Sequence, residues 1–122
     1  MLNADRIDEL RVEIRKIEEE KEDTNTYLRN YIRSEKEICE EVYDRIKICN
    51  LSFEASYGDQ RWTNLVEEQY NQLLSIGNQH SDDIETLEAE CKKLNSKYDK
   101  TLEDLETEIW RLEMIGGELG EL

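Results

Sequence analysis

The chain has 122 residues, of which 39% are charged and 37% hydrophobic, and it contains no proline. Its 31 acidic and 16 basic side chains give a formal charge of −15, which argues against binding to nucleic-acid phosphates or to an anionic membrane surface. No apolar run approaches the roughly 20 residues that a membrane-spanning helix needs. The N-terminus lacks the basic and apolar regions of a secretory signal, so we expect a cytoplasmic protein without membrane insertion.

The first half of the chain carries apolar residues at alternating steps of three and four, which is the spacing of a coiled-coil seam. The spacing predicts a helix over about residues 4–55. Near Val42 two consecutive steps of four indicate a stutter, which locally unwinds a coiled coil. The members of this first seam include Ile7, Leu10, Ile14, Ile17, Leu28, Tyr31, Ile38, Val42, Ile46, Cys49 and Phe53.

The second half has a seam of the same kind and predicts a helix over about residues 61–115. Between the helices, Gly58 is suited to close the first and Asp59 to cap the second, so we expect a turn over about 56–60. Gly77 interrupts the second seam without changing its phase, which favours a kink over a third helix. The second seam includes Trp62, Leu65, Gln69, Leu73, Ile76, His80, Ile84, Leu87, Cys91, Leu94, Tyr98, Leu102, Leu105, Ile109 and Leu112.

Two helices joined by a tight turn predict one fold, an all-α, long, antiparallel two-helix coiled-coil hairpin spanning residues 1–115. Gly116 and Gly117 are expected to end the second helix, and residues 116–122 to form a flexible tail. If Gly58 is the midpoint, facing residues have numbers that sum to about 116 or 117. Val42 would then face residues 73–74.

The apolar stripe is narrow at the open end of the predicted hairpin and widens toward the turn. One partner helix covers only one stripe, so the excess apolar surface must meet another chain or a second copy of this one. Trp and Tyr near the turn are residue types that dominate binding hot spots, although they equally suit a plug at the hairpin tip. The residues that we predict to bind a partner are Val42, Ile46, Phe53, Trp62, Leu65, Val66 and Tyr70.

Charge is distributed unevenly along the chain. Residues 1–57 hold 15 acidic and 10 basic side chains, a net charge of −5, whereas residues 58–122 hold 16 and 6, a net charge of −10. Between Asp59 and Cys91 the only basic residue is Arg61. A partner with basic residues would be favoured along this stretch.

Residues suited to catalysis or metal binding are sparse. The single histidine, His80, lies in a seam position, and the acidic residues that follow it lack the spacing of a calcium-binding loop, which favours a solvated acidic face. No glycine-rich phosphate loop or nucleophile motif is present, and a two-helix hairpin offers no enclosed pocket that would perturb a carboxylate. We therefore predict no enzyme activity, no cofactor and no metal site.

The three cysteines, Cys39, Cys49 and Cys91, match no zinc motif. In an antiparallel hairpin no two of them face each other, so no internal disulfide is expected. Free thiols fit a reducing compartment.

The segment from Phe53 to Trp62, with its Trp beside the turn of an acidic hairpin, resembles the small helical proteins of Gram-positive type VII secretion, which have a WXG/ESAT-like architecture. Within that group the chain looks most like the accessory proteins of LXG toxins. It departs from the WXG signature, because Asn64 stands where the motif has glycine. It also lacks the export motif of an aromatic followed four positions later by an acid, since Leu102 follows Tyr98 and Met114 follows Trp110.

The resemblance implies a targeting factor or chaperone that binds the helical N-terminal LXG domain of a toxin, with a second small helical protein as a further candidate partner. It leaves open whether the chain is exported with its cargo by a non-classical route. The alternative is a self-associating structural coiled coil, such as a prefoldin-like subunit, a phage scaffold or a cytoskeletal adaptor. Homo-oligomerisation therefore stays open.

Overall fold

A computed structural model describes the backbone of residues 2–121 and the side chains of residues 3–116. It contains two helices, α1 (Leu2–Ala55) and α2 (Gln60–Glu121), and no strand in the part of the chain described. The helices pack against each other, which confirms the predicted all-α helical hairpin. Neither helix, over these residues, has a stretch long and apolar enough to cross a membrane.

The turn between the helices forms where the sequence predicts it. Gly58 has a φ of 93°, the left-handed conformation that glycine adopts without a steric penalty. Asp59 then caps α2, because its Oδ1 accepts a hydrogen bond of 3.1 Å from the backbone N–H of Trp62. The Ser56 side chain is buried beneath the turn and lies 3.1 Å from the Thr63 hydroxyl. These contacts fix the point at which the chain reverses.

The molecule divides into two compact units. The first, which we call the turn unit, is the continuous segment Leu28–Ala89. Its core is a column of buried side chains at every seventh position of α1, together with Val66 from α2. Gly77 permits close packing in this unit, since a Cβ there would lie 3.2 Å from Val42 Cγ1. The buried column consists of Glu35, Val42 and Cys49 in α1, and it continues seven positions further at Ser56 in the turn.

The second unit, the terminal unit, joins Met1–Tyr27 to Glu90–Leu122. Leu10 is fully buried and Ile109 nearly so. Elsewhere polar contacts cross the helix pair. The side-chain amides of Asn25 and Asn95 exchange two hydrogen bonds of 2.8 and 2.9 Å, and Lys21 forms an ion pair of 2.6 Å with Asp99. The seam of this unit is therefore narrow and partly hydrophilic.

The register of the helices differs from the predicted one by about three residues. Val42 lies against Gly77, which is three to four residues beyond the positions 73–74 predicted to face it. The reason lies in the turn, where the contact between Ser56 and Thr63 centres on Asp59 and Gln60 and not on Gly58. The chain therefore completes about one turn of α2 before Thr63, as the first of its residues, faces α1.

The bounds of α2 also differ from the prediction. The helix is unbroken through Gly77, and it runs to Glu121 where the sequence predicts an end near residue 115. The flexible tail predicted for 116–122 stays a prediction, because the side chains of 117–122 lie outside the described residues. All three cysteines are free, as expected.

Candidate helix-binding surface

The turn unit leaves large apolar side chains exposed on one side of the helix pair. Ile48 of α1 is 62% exposed, and Leu65 and Ile76 of α2 are 52% and 44% exposed. Each helix carries more apolar residues here than the single seam between them covers. The additional apolar side chains remain on the surface of the turn unit and are not part of its core.

Several of these side chains border an open groove of about 380 Å³ that runs between the two helices. Its α2 wall has a spacing of 3 and 4, so its residues lie along one side of that helix. Two glutamines and one arginine provide hydrogen-bonding groups among the apolar side chains. The groove is lined by Arg45, Ile48, Cys49, Gln69, Gln72, Leu73 and Ile76, and we call it the turn-unit groove.

The residues predicted to bind a partner lie in three different environments. Val42 and Val66 are buried, with exposures of 7% and 4%, so they contribute to the core of the hairpin. Trp62 and Leu65 are exposed by 51% and 52%. By helical spacing both lie on the side of α2 that carries Gln69, Gln72 and Ile76.

The three remaining members of the predicted set, Ile46, Phe53 and Tyr70, are half-buried. The Phe53 and Tyr70 rings contact each other edge to face, with centroids 6.1 Å apart and an interplanar angle of 73°. This aromatic pair closes the seam near the turn. That any of the seven residues binds a partner stays a prediction.

The predicted set contains none of the seven residues that line the groove. Ile48, Ile76, Gln69 and Gln72 line it, and none of them was among the predicted residues. A signal was present in the sequence, because residues 69–81 contain no Asp, Glu, Lys or Arg in a chain that is 39% charged. The core of a protein–protein interface is depleted of charged residues in the same way.

Acidic residues flank this uncharged stretch at both ends. Glu67 and Glu68 precede it, and Asp82 and Asp83 follow it. On α1, Arg45 at the groove pairs with Glu41 on its own helix at 2.9 Å, which reduces its influence on an approaching charge. The surroundings of the groove are therefore predominantly negative.

A second cluster of functional groups lies in the seam of the turn unit. The His80 Nδ1 atom contacts the Oε2 atom of Glu35 across the helix pair. Potential ligand atoms of Glu35, His80 and Asp83 all lie within 4.8 Å of one another. The sequence revealed only the members on α2, since the third comes from the other helix.

Comparison of the chain with protein-family models, curated proteins and solved structures finds no match.

Proposed function

We propose that this chain is a non-catalytic binding protein that accommodates an α-helix of a partner protein in the turn-unit groove. The observation that carries the proposal is the exposure of Ile48 and Ile76 in that groove and of Leu65 on the same side of α2. These side chains are already about half covered in the hairpin, so burying the remainder of each would stabilise a complex by about 1 kcal/mol.

A helix is the occupant whose shape suits this surface. The groove lies between two antiparallel helix segments, and side chains project into it at intervals of three and four residues. A third helix with the same spacing can place its ridge of side chains between them, as helices do when they pack in bundles. Apolar anchors on the partner at similar spacing would meet Leu65 and Ile76.

Charge favours a partner that is less acidic than this chain. Two copies of this chain, each with a formal charge of −15, would repel one another over the Debye length of about 8 Å at physiological ionic strength. A partner helix with basic residues flanking its apolar stripe would instead be attracted by the negative charge of this chain. We therefore favour a different protein over a second copy as the occupant.

The partner that we propose is the helical N-terminal LXG domain of a type VII secreted toxin, for which this chain would act as a targeting factor or chaperone. The support for this identity is the resemblance of the hairpin and of the segment around Trp62 to LXG accessory proteins. The helical occupant favoured by the groove agrees with it. A second small helical protein could join the same complex and supply an export signal.

The test is to co-express the chain with an LXG domain encoded beside it and to measure affinity by calorimetry. Ile76→Glu should weaken binding at least tenfold, and Trp62→Ala should weaken it by about 2 kcal/mol, or roughly thirtyfold, if Trp62 is an anchor. The matched control is Val12→Glu, since Val12 is a β-branched side chain of the terminal unit with a similar exposure of 46%. Val66→Asp is unsuitable because Val66 is buried in the hairpin.

Two results would contradict the proposal. The first is a complex whose affinity is unchanged by Ile76→Glu and Leu65→Glu, or is lowered equally by Val12→Glu. The second is a defined homo-oligomer, seen by light scattering and dissociated by Ile76→Glu, which would identify the occupant as a second copy. The chain would then be the self-associating structural coiled coil of the alternative interpretation.

A further inference from the structure

We propose that Glu35, His80 and Asp83 form a binding site for a divalent transition-metal ion of the zinc class, which links α1 to α2 within the turn unit. The site is independent of the helix-binding groove and of the identity of any partner. It rests on the positions of these three side chains on facing helices.

Glu35 occupies an unusual position for a carboxylate. It is 8% exposed and belongs to the column of buried α1 residues that also contains Val42 and Cys49. An ionised carboxylate in such a place needs a partner, and His80 supplies one from α2. A metal ion would satisfy the same carboxylate with a larger opposite charge.

Asp83 completes the set from the neighbouring position on α2. Residues three apart on a helix lie on the same face, so Asp83 reaches the side on which His80 meets Glu35. Its side chain is exposed and can rotate, whereas Glu35 is held by the seam. Two ligands therefore come from one helical turn and the third from the facing helix.

The donor set selects the class of ion. One imidazole nitrogen and two carboxylate oxygens suit zinc and its neighbours, whereas calcium and magnesium require six or more oxygen ligands. Zinc bonds of about 2.0–2.2 Å place tetrahedral ligands about 3.4 Å apart. The present spacing of up to 4.8 Å needs only small side-chain rotations to reach that geometry. Water would occupy the fourth position.

Binding would replace the hydrogen bond between His80 and Glu35 with bonds from both side chains to the ion. The ion would also hold α1 and α2 together at this position along their seam. Zinc should therefore raise the melting temperature of the chain.

The experiment titrates the full-length, reduced, metal-free chain with zinc chloride by calorimetry. We expect one ion per chain, with binding at least tenfold weaker in His80→Gln and Asp83→Asn. The matched control is Asp82→Asn, which removes the same charge one residue away and should change affinity less than twofold. Because Asp83 is exposed, Asp83→Asn tests the site even if Glu35→Gln impairs folding, and circular dichroism checks each variant.

Three outcomes would overturn the proposal. One is the absence of saturable zinc binding. Another is an equal loss in Asp82→Asn and Asp83→Asn, which would indicate diffuse attraction to an acidic surface. The last is full binding by His80→Gln, which would assign the ion to other groups, such as the cysteine thiols, that are unchanged in every variant.

Discussion

Asn25 and Asn95 show how single residues define this hairpin. Their amides exchange two hydrogen bonds across the terminal unit, at a height where a Leu pair would bury more apolar surface. A polar pair in a helical seam favours one alignment over its neighbours, because a shift would break the hydrogen bonds that the two amides exchange. The pair therefore contributes to the choice of register as well as to stability.

Asn25→Ala should lower the free energy of unfolding by about 1 kcal/mol, since the Asn95 amide loses its cross-helix partner. Asn71→Ala is the control, because Asn71 is exposed and its replacement should change stability by less than about 0.5 kcal/mol. The double variant Asn25→Leu with Asn95→Leu should be at least as stable as the wild type. Urea denaturation measures all three, and a double variant less stable than Asn25→Ala would contradict this account.

At the scale of the elements, Gly77 interrupts the apolar pattern of α2 without interrupting the helix. Its role is close packing, since an added Cβ would lie 3.2 Å from Val42 Cγ1. Val42 is buried, and as a β-branched residue in a helix it has little freedom to rotate away.

Replacing glycine with alanine in a helix interior normally raises the free energy of unfolding by roughly 1 kcal/mol. Because of the contact with Val42, Gly77→Ala should give no such gain. In a Val42→Ala background, where Cγ1 is absent, the same substitution should stabilise the chain by about 1 kcal/mol. Urea denaturation of the wild type, the two single variants and the double variant measures the coupling. Equal effects of Gly77→Ala in both backgrounds would show that the two residues are independent.

Both helices and the turn could be predicted because their signals are local. Apolar spacing identified α1 and α2, and the Gly58–Asp59 pair located the reversal. The register could not be predicted, because a shift of three or four residues in a heptad pattern still places apolar residues opposite apolar ones. Specific contacts, such as that between Ser56 and Thr63 and that between Asn25 and Asn95, distinguish the alignments.

The candidate site was predictable in its location but not in its residues. The widened apolar stripe indicated the turn half of the chain. Near the stutter at Val42, the spacing of apolar residues did not indicate which side of the widened apolar stripe the facing helix covers. Val42 and Val66 thus proved to be buried, while Ile48 and Ile76 lie at the groove. The zinc-class cluster was missed because Glu35 and His80 are 45 positions apart.

For the molecule as a whole, repulsion among the acidic side chains is the main electrostatic effect that lowers stability. The cross-helix ion pairs, such as Arg11 with Glu113 at 3.1 Å, are substantially exposed and therefore weak. They oppose the self-repulsion of a chain with a formal charge of −15. The repulsion involves many more groups than the pairs do.

We expect salt to stabilise the isolated chain. Raising NaCl from about 0.01 M to about 1 M shortens the Debye length from about 30 Å to about 3 Å, which screens the repulsion. Thermal melts followed by circular dichroism should show a higher midpoint in NaCl, and isomolar choline chloride controls for effects specific to sodium. A midpoint that falls as salt rises would mean that the ion pairs outweigh the repulsion.

The division of the chain into a continuous and a discontinuous unit has a consequence for the order of folding. Ser56 meets Thr63 after only seven positions, whereas the contact between Arg11 and Glu113 spans 102. Closing a short loop costs less conformational entropy than closing a long one, so we expect the chain to pair first at its reversal and then outward. The segment Leu28–Ala89 would close before residues 90–122 find their partners. The groove would accordingly exist on a half-folded chain, available to a helix before the ends of the molecule have come together.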